Sequence, residues 1–292
     1  MPILKVLILA IVQGLAELLP VSSSAHVVVA EKLMGLDPTS PQMTLVLVML
    51  HTGTMFAVIV YFWRRWAETY FRSTETFIAV ALRIILATVL TGVIGVPIQK
   101  VIEKTMFKGA AKADIEQLFG RLDLIAAALF CVGLLILFAG LARRRSLVGD
   151  LDHTNLSLGQ AGVIGAVQGL ALPFRGFSRS GSTISAGMLT GVGRETAETF
   201  SFALAVVLTP AVVGREALRL LKASHEATAA GTPIDLHGAV VSSLIGMVLS
   251  FAAGLAALRW LSSWLESGKW YLFGIYCLVA SAFIFYLHTT GL

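Results

Sequence analysis

The chain has 292 residues, of which 57% are hydrophobic and only 13% charged, with a mean hydropathy of +0.83. That is too little charge to cover a water-soluble domain of this size, and it places the chain in a bilayer. The net charge of +5 comes from basic residues flanking apolar runs; no basic face interleaved with aromatics is present, which excludes a nucleic-acid module. Cys131 and Cys277 lie far apart inside apolar runs. They form neither a disulfide framework nor a metal pair and read as small core residues.

In chain order, residues 3–19 are apolar and helix-forming, but Pro20 and Ser22-Ser23-Ser24 stop the helix before it reaches the ~20 apolar residues of a crossing. Lys5, this run and Ser23-Ser24-Ala25 imitate a secretory signal. Against that reading, Gln13 and Glu17 interrupt the run, and its Val-Gln-Gly-Leu-Ala stretch (12–16) returns at 167–171, where no signal can stand. A second short helix, about Ala25 to Met34, ends at Gly35, and Asp37-Pro38 with Ser40-Pro41 turns the chain. Residues 3–35 are therefore a re-entrant hairpin, which a membrane tolerates only where its irregular backbone is buried in protein or lines a wet cavity. Spans follow at about 43–63, closed by Arg64-Arg65-Trp66, at 77–98, and at 118–141, closed by Arg143-Arg144-Arg145. Lys100 to Gln117 reads as a mixed-charge loop.

The second half repeats this order. A short helix at 159–172, a polar turn at 173–181 and a returning helix at 182–192 make a hairpin over 159–192, and spans follow at about 199–221, 236–258 and 270–288. The expected fold is an all-α integral membrane protein forming one membrane domain. Its two repeats, 1–145 and 146–292, are each a re-entrant helical hairpin plus three transmembrane helices. An odd number of crossings per half makes this an inverted-topology repeat, in which the two hairpins meet near the midplane and build one site. The positive-inside rule puts both arginine blocks in the cytoplasm and the first hairpin on the outer side, although Lys100, Lys104, Lys108 and Lys112 then lie outside.

The two turns carry the chemistry. Gln13 and Glu17 are four apart and share a helix face, with Ser22, Ser23, Ser24 and His26 just beyond Pro20. A carboxylate, hydroxyls and an imidazole supply a base or metal ligand, a nucleophile and a proton-transfer group. The alternative is a hairpin whose serines cap the second helix and whose His26 is merely hydrogen-bonded. In the second turn Leu172 stands where Glu17 stands in the first, and Arg175 and Arg179 bring positive charge instead. Ser178, Arg179, Ser180, Gly181 and Thr183 sit at a helix start, where backbone N–H groups, hydroxyls and a forked guanidinium converge on an oxyanion such as phosphate. The alternative there is helix capping, with Arg179 paired to Glu17 across the interface.

Gln-Gly-Leu-Ala-Glu-Leu-Leu-Pro-Val-Ser-Ser-Ser-Ala-His (13–26) and Gly-Phe-Ser-Arg-Ser-Gly-Ser-Thr (176–183) resemble the two signature motifs of the undecaprenyl-diphosphate phosphatase family, the bacitracin-resistance proteins. Leu50-His51-Thr52-Gly53-Thr54, Ser201-Phe202, Pro210 and Gly214 extend the resemblance over essentially the whole chain. It implies a multi-pass enzyme of the bacterial plasma (inner) membrane. Such an enzyme hydrolyses a polyprenyl diphosphate lipid to the monophosphate, usually with a divalent cation, Mg²⁺ or Ca²⁺, and recycles the carrier for peptidoglycan. By position, Glu17, Ser23 and His26 match the family's essential acid, serine and histidine, and Arg179 its essential arginine. Gln13 replaces a frequent first glutamate, and Pro173-Phe174-Arg175-Gly176 lengthens the usual Pro-Gly turn.

The expected mechanism has Arg179 and the 178–183 backbone holding the diphosphate. Ser23 is the candidate nucleophile, His26 transfers the proton and Glu17 serves as base or metal ligand, with attack by metal-bound water, without a phosphoserine, as the alternative. Gln13, Ser22, Ser24, Arg175, Ser178, Ser180, Gly181 and Thr183 are expected to line the substrate site. The expected partners are the polyprenyl diphosphate lipid and the bilayer, with no nucleic acid and with a homodimer left open. The alternative function is a transporter or flippase of the polyprenyl phosphate carrier, since broken helices in inverted repeats are also a transporter plan.

Overall fold

A computed structural model of the chain describes residues 2–106, 118–145, 156–229, 235–265 and 269–291. Its elements are α1 (Ile3–Glu17), α2 (Ser23–Leu33), α3 (Pro41–Thr69), α4 (Thr74–Met106), α5 (Leu122–Arg145), α6 (Leu158–Ala171), α7 (Arg179–Leu189), α8 (Arg194–Ala229), α9 (Leu236–Leu265) and α10 (Tyr271–Thr289). Six helices among the described residues, α3, α4, α5, α8, α9 and α10, are long and apolar enough to cross a bilayer. The protein is an all-α, multi-pass membrane protein.

Most long helices outrun their expected spans. Hydropathy marks the segment that matches hydrocarbon, whereas the helix continues into polar ends that water and headgroups solvate. Lys100 to Met106, expected in a loop, is the last part of α4, and Pro97 sits inside that helix. The rest of the expected loop, with Lys108 and Lys112, lies outside the described residues. Both returning helices start earlier than expected, α2 at Ser23 and α7 at Arg179, because their serines cap or open the first turn. Ser178 Oγ accepts the Gly181 N–H at 3.1 Å. At the start of α6, Ser157 Oγ accepts the Gln160 N–H at 3.2 Å, and Gln160 Oε1 accepts the Ser157 N–H at 2.8 Å. These two bonds close a reciprocal cap.

The repeated Val-Gln-Gly-Leu-Ala stretch acquires a structural meaning from packing. The short helix α1 packs on α9, and the short helix α6 packs on α4. At Gly14 an added Cβ would lie 2.5 Å from Ala253 Cβ and 2.8 Å from Gly254 N; at Gly169 it would lie 2.8 Å from Thr91 O and 3.0 Å from Ile94 Cβ. In both places glycine lets two backbones approach, as membrane helices require when packing alone must hold them. The preceding glutamines, Gln13 and Gln168, are fully buried.

α3 packs on α9 and α8, and α5 packs on α10. The outward faces carry exposed apolar side chains such as Val93, Phe138, Val279 and Phe283, as lipid contact demands. Cys277 is buried, but Cys131, expected in the core, is exposed on α5. A small thiol inside an apolar run suits a lipid-facing position as well as an interior one.

Candidate active site

The turns of the two hairpins meet. Between α1 and α2 the chain passes Pro20 and Val21 and reaches Ser22 in a left-handed conformation, φ +66°, which no other non-glycine among the described residues adopts. Between α6 and α7 it turns through Gly176 at φ +97°. The Gly176 N–H donates to Ser24 Oγ at 3.4 Å, joining the tips. α2 and α7 both begin here, and their first residues, Ser23, Ser24, Arg179 and Ser180, border one space, toward the positive dipole ends of both helices.

That space is a cavity of about 310 Å³. Of the residues expected from sequence, Glu17, Ser22, Ser23, Ser24, Arg175, Ser178, Arg179 and Ser180 line it. Glu17 is its hub. Arg179 Nη2 donates to Glu17 Oε1 at 2.7 Å, bridging the hairpins. Glu17 Oε2 accepts the Ser23 hydroxyl in a short hydrogen bond and the Gln13 amide at 2.9 Å. His51 Nδ1 lies 2.9 Å from the same oxygen and 2.8 Å from Gln13 Nε2. A hydroxyl bound to a carboxylate that is itself oriented by further donors is the geometry of an activated nucleophile. The ion pair foreseen as an alternative is thus present, within the same cavity.

His26, Gln13, Gly181 and Thr183 do not line the cavity. Both ring nitrogens of His26 are taken up elsewhere, Nδ1 by the Ser22 carbonyl at 2.8 Å and Nε2 by the Tyr276 hydroxyl of α10 at 2.7 Å. Gln13 is fully buried behind Glu17. Gly181 gives its N–H to the Ser178 cap. Thr183 bonds the Arg179 carbonyl at 2.7 Å and Ser201 Oγ at 2.6 Å, tying α7 to α8.

The imidazole beside Glu17 is that of His51, which the sequence ties to the site only through the family resemblance. An ionisable side chain in the middle of the apolar α3 run is the signal that marks it. The same signal marks Arg215 and Glu216 of α8, which also line the cavity. Arg219 donates to Thr44 Oγ1 at 3.1 Å across the α3–α8 contact. Arg175 stacks over the Phe119 ring at 4.0 Å, and its Nη1 is buried without a hydrogen-bond partner.

Glu17 is also the expected metal ligand. No group of three or more His, Cys, Asp or Glu that could hold a metal ion occurs among the described residues. Both Glu17 oxygens are occupied by protein donors. A carboxylate so engaged does not fit a hard divalent cation held by the protein alone, which needs several free oxygens.

Comparison with known proteins bears on the same residues. A family profile described as "Bacitracin resistance protein BacA" matches residues 6–283. The chain is 55% identical over 284 residues to "Undecaprenyl-diphosphatase 2" of Acinetobacter baylyi, covering 97% of each chain. It is 35% identical to "Undecaprenyl-diphosphatase" of Syntrophotalea carbinolica, covering 98% of each, and 33% identical to that of Desulfatibacillum aliphaticivorans, covering 96% of each. Matched over nearly its full length, with its cavity built from the two motifs that suggested the resemblance, the chain belongs to the bacitracin resistance protein BacA family.

Proposed function

We propose that the cavity hydrolyses undecaprenyl diphosphate, or a closely similar polyprenyl diphosphate, to the monophosphate and inorganic phosphate. The reaction recycles the lipid carrier for peptidoglycan synthesis in the bacterial inner membrane and confers bacitracin resistance. One observation carries the mechanism: Ser23 donates its hydroxyl to Glu17, while Glu17 is held from the opposite hairpin by Arg179. Nucleophile, base and anion clamp are thereby gathered in one cavity.

Ser23 Oγ attacks the terminal phosphorus as its proton passes to Glu17 Oε2. The bond from that phosphorus to the bridging oxygen breaks, and the prenyl monophosphate leaves with the electron pair. Once Glu17 has handed that proton to His51, water attacks the phosphoserine phosphorus and loses a proton to Glu17 Oε2. The bond from phosphorus to Ser23 Oγ breaks, Glu17 returns the proton to Ser23 Oγ, and inorganic phosphate leaves. His51 stands on the same Glu17 oxygen and is partly exposed, so it carries the proton onward. Charge on the phosphoryl oxygens is met by Arg179 and by the first-turn N–H groups of α2 and α7. Arg175 supplies a second guanidinium to the diphosphate. The prenyl tail lies along the apolar helices, and two inverted repeats, 1–145 and 146–292, account for the crossed packing of α1 on α9 and α6 on α4.

The test is release of inorganic phosphate from a polyprenyl diphosphate by purified protein, followed by acid quench of a single turnover with labelled terminal phosphate. Label on Ser23 supports serine attack, and label only in free phosphate assigns the attack to water. Movement of intact diphosphate across vesicles without phosphate release would make the chain a transporter.

A further inference from the structure

His26 lies outside the cavity, yet it is held as firmly as any cavity residue. The Ser22 carbonyl can only accept, so the ring proton sits on Nδ1, and in the neutral ring Nε2 accepts the Tyr276 hydroxyl proton. The two rings stack with centroids 5.7 Å apart and planes 13° from parallel. The contact crosses 250 positions of chain, so α10 is fastened to the start of α2.

The other end of this chain of contacts is the strained residue. Ser22 stands at φ +66°, a conformation that costs a side-chain-bearing residue unless its surroundings impose it. The Ser22 carbonyl would ordinarily be fixed by the helical N–H of His26, but that bond is long, 3.4 Å. The imidazole supplies the short one, at 2.8 Å. The neighbouring residue of α10 touches the same turn directly: Cys277 Sγ lies 3.5 Å from the Pro20 carbonyl oxygen. α10 therefore holds the Pro20–Ser22 turn at Pro20 and, through His26, at Ser22, and Ser23 is the next residue.

We propose that Tyr276 is a positioning residue for catalysis: by fixing the His26 ring it holds Ser22 in its left-handed conformation, which keeps the Ser23 hydroxyl on Glu17. This rests on the reading of Ser23 as the nucleophile. Tyr276 does not line the cavity, so its effect reaches the substrate through the aim of Ser23.

Tyr276→Phe keeps the ring and its stacking and removes one hydroxyl. The expected result is a fall in kcat of about tenfold with KM for the prenyl diphosphate unchanged, as for loss of an interaction that matters only in the transition state. Tyr286→Phe, on the exposed face of the same helix, leaves both constants unchanged. His26→Asn shortens the side chain so that it no longer reaches Tyr276. In that background Tyr276→Phe adds no further loss, because the two residues act as one unit. Ser23 is followed separately by its rate of modification with a fluorophosphonate, read by mass spectrometry without any turnover. That rate falls in Tyr276→Phe by the same factor as kcat.

An equal loss from Tyr276→Phe in the native and His26→Asn backgrounds overturns the inference, as does a kcat within twofold of native. A lowered kcat with an unchanged Ser23 modification rate also overturns it. Failure of the reagent to modify Ser23 in the native protein, while phosphate is still released, overturns the nucleophile reading itself.

Discussion

Arg179 Nη2 and Glu17 Oε1 stand 2.7 Å apart although 162 positions separate them in the chain. The pair bridges the hairpins, and a forked planar guanidinium can hold Glu17 and a phosphoryl oxygen at once in a fixed geometry that the point charge of an ammonium does not impose. Arg179→Lys is accordingly expected to lose about a hundredfold or more in phosphate release despite the kept charge. Arg175→Ala should lose distinctly less. Near-normal turnover of Arg179→Lys would remove the clamp role, and equal losses at the two arginines would show that the longer turn has moved it.

His51 shares the Glu17 oxygen that binds Ser23. Its replacement by Ala should lower kcat by about a hundredfold, the usual scale for a lost proton-transfer group, with a smaller change in KM. Steady-state phosphate release measures both. A His51→Ala protein with unchanged kcat would leave Glu17 as the sole proton acceptor.

Gln13 gives its amide to Glu17 at 2.9 Å. Gln13→Glu would set a second carboxylate there, and two such groups coexist only if one is protonated or a cation joins them. The variant should therefore bind Mg²⁺ or Ca²⁺ more tightly than the native protein, as read by calorimetric titration of the metal into each protein after chelation. Identical titrations in the two proteins would detach Gln13 from any cation site.

The meeting of the hairpins can be tested without catalysis. Ser24 and Ser180 both line the cavity, so cysteines at these positions, with Cys131 and Cys277 replaced, should link within one chain through a short bifunctional reagent. A prenyl diphosphate should slow the reaction by occupying the gap. Links formed only between chains, or only by reagents longer than about half of the ~30 Å hydrocarbon core, would separate the motifs and end the shared-site account.

Close packing at the repeated glycines makes its own demand. Gly14→Ala and Gly169→Ala should each destabilise the protein by about 1–3 kcal/mol, the cost of overpacking a close contact. Thermal melts in detergent would register it. At Gly92, where an added Cβ meets nothing within 4 Å, the same change should be nearly silent, and equal melts for all three would contradict the packing described.

The architecture was readable from sequence where physics acts locally. Pro20 and Pro173 stop apolar helices too short to cross, and the polar residues they interrupt have to find cover. Glu17, Ser23 and Arg179 stood out because charge and hydroxyls at membrane depth are costly unless employed. The orientation of His26 could not be read, because it is decided by Tyr276, 250 positions away. The place of His51 is not legible either, since one imidazole in an apolar run reads as an interior side chain until the helix bearing Glu17 is set against it. Arg215 and Glu216 escaped for the same reason: α8 reads as a plain span, and only its packing on α3 turns those charges toward the cavity.

The crossed seating of the short helices sets a timetable for biosynthesis. α1 ends at Glu17, yet the helix it rests on, α9, starts at Leu236. At ribosomal speeds of about 5–20 residues per second, the first hairpin waits on the order of ten to forty seconds for its seat to be made. During that interval Gln13 and Glu17 lack the buried surroundings they will have in the finished protein, and the wait falls on a segment too short to anchor itself by crossing. The first hairpin, made long before the helix it rests on, is thus among the last parts of the molecule to reach its place.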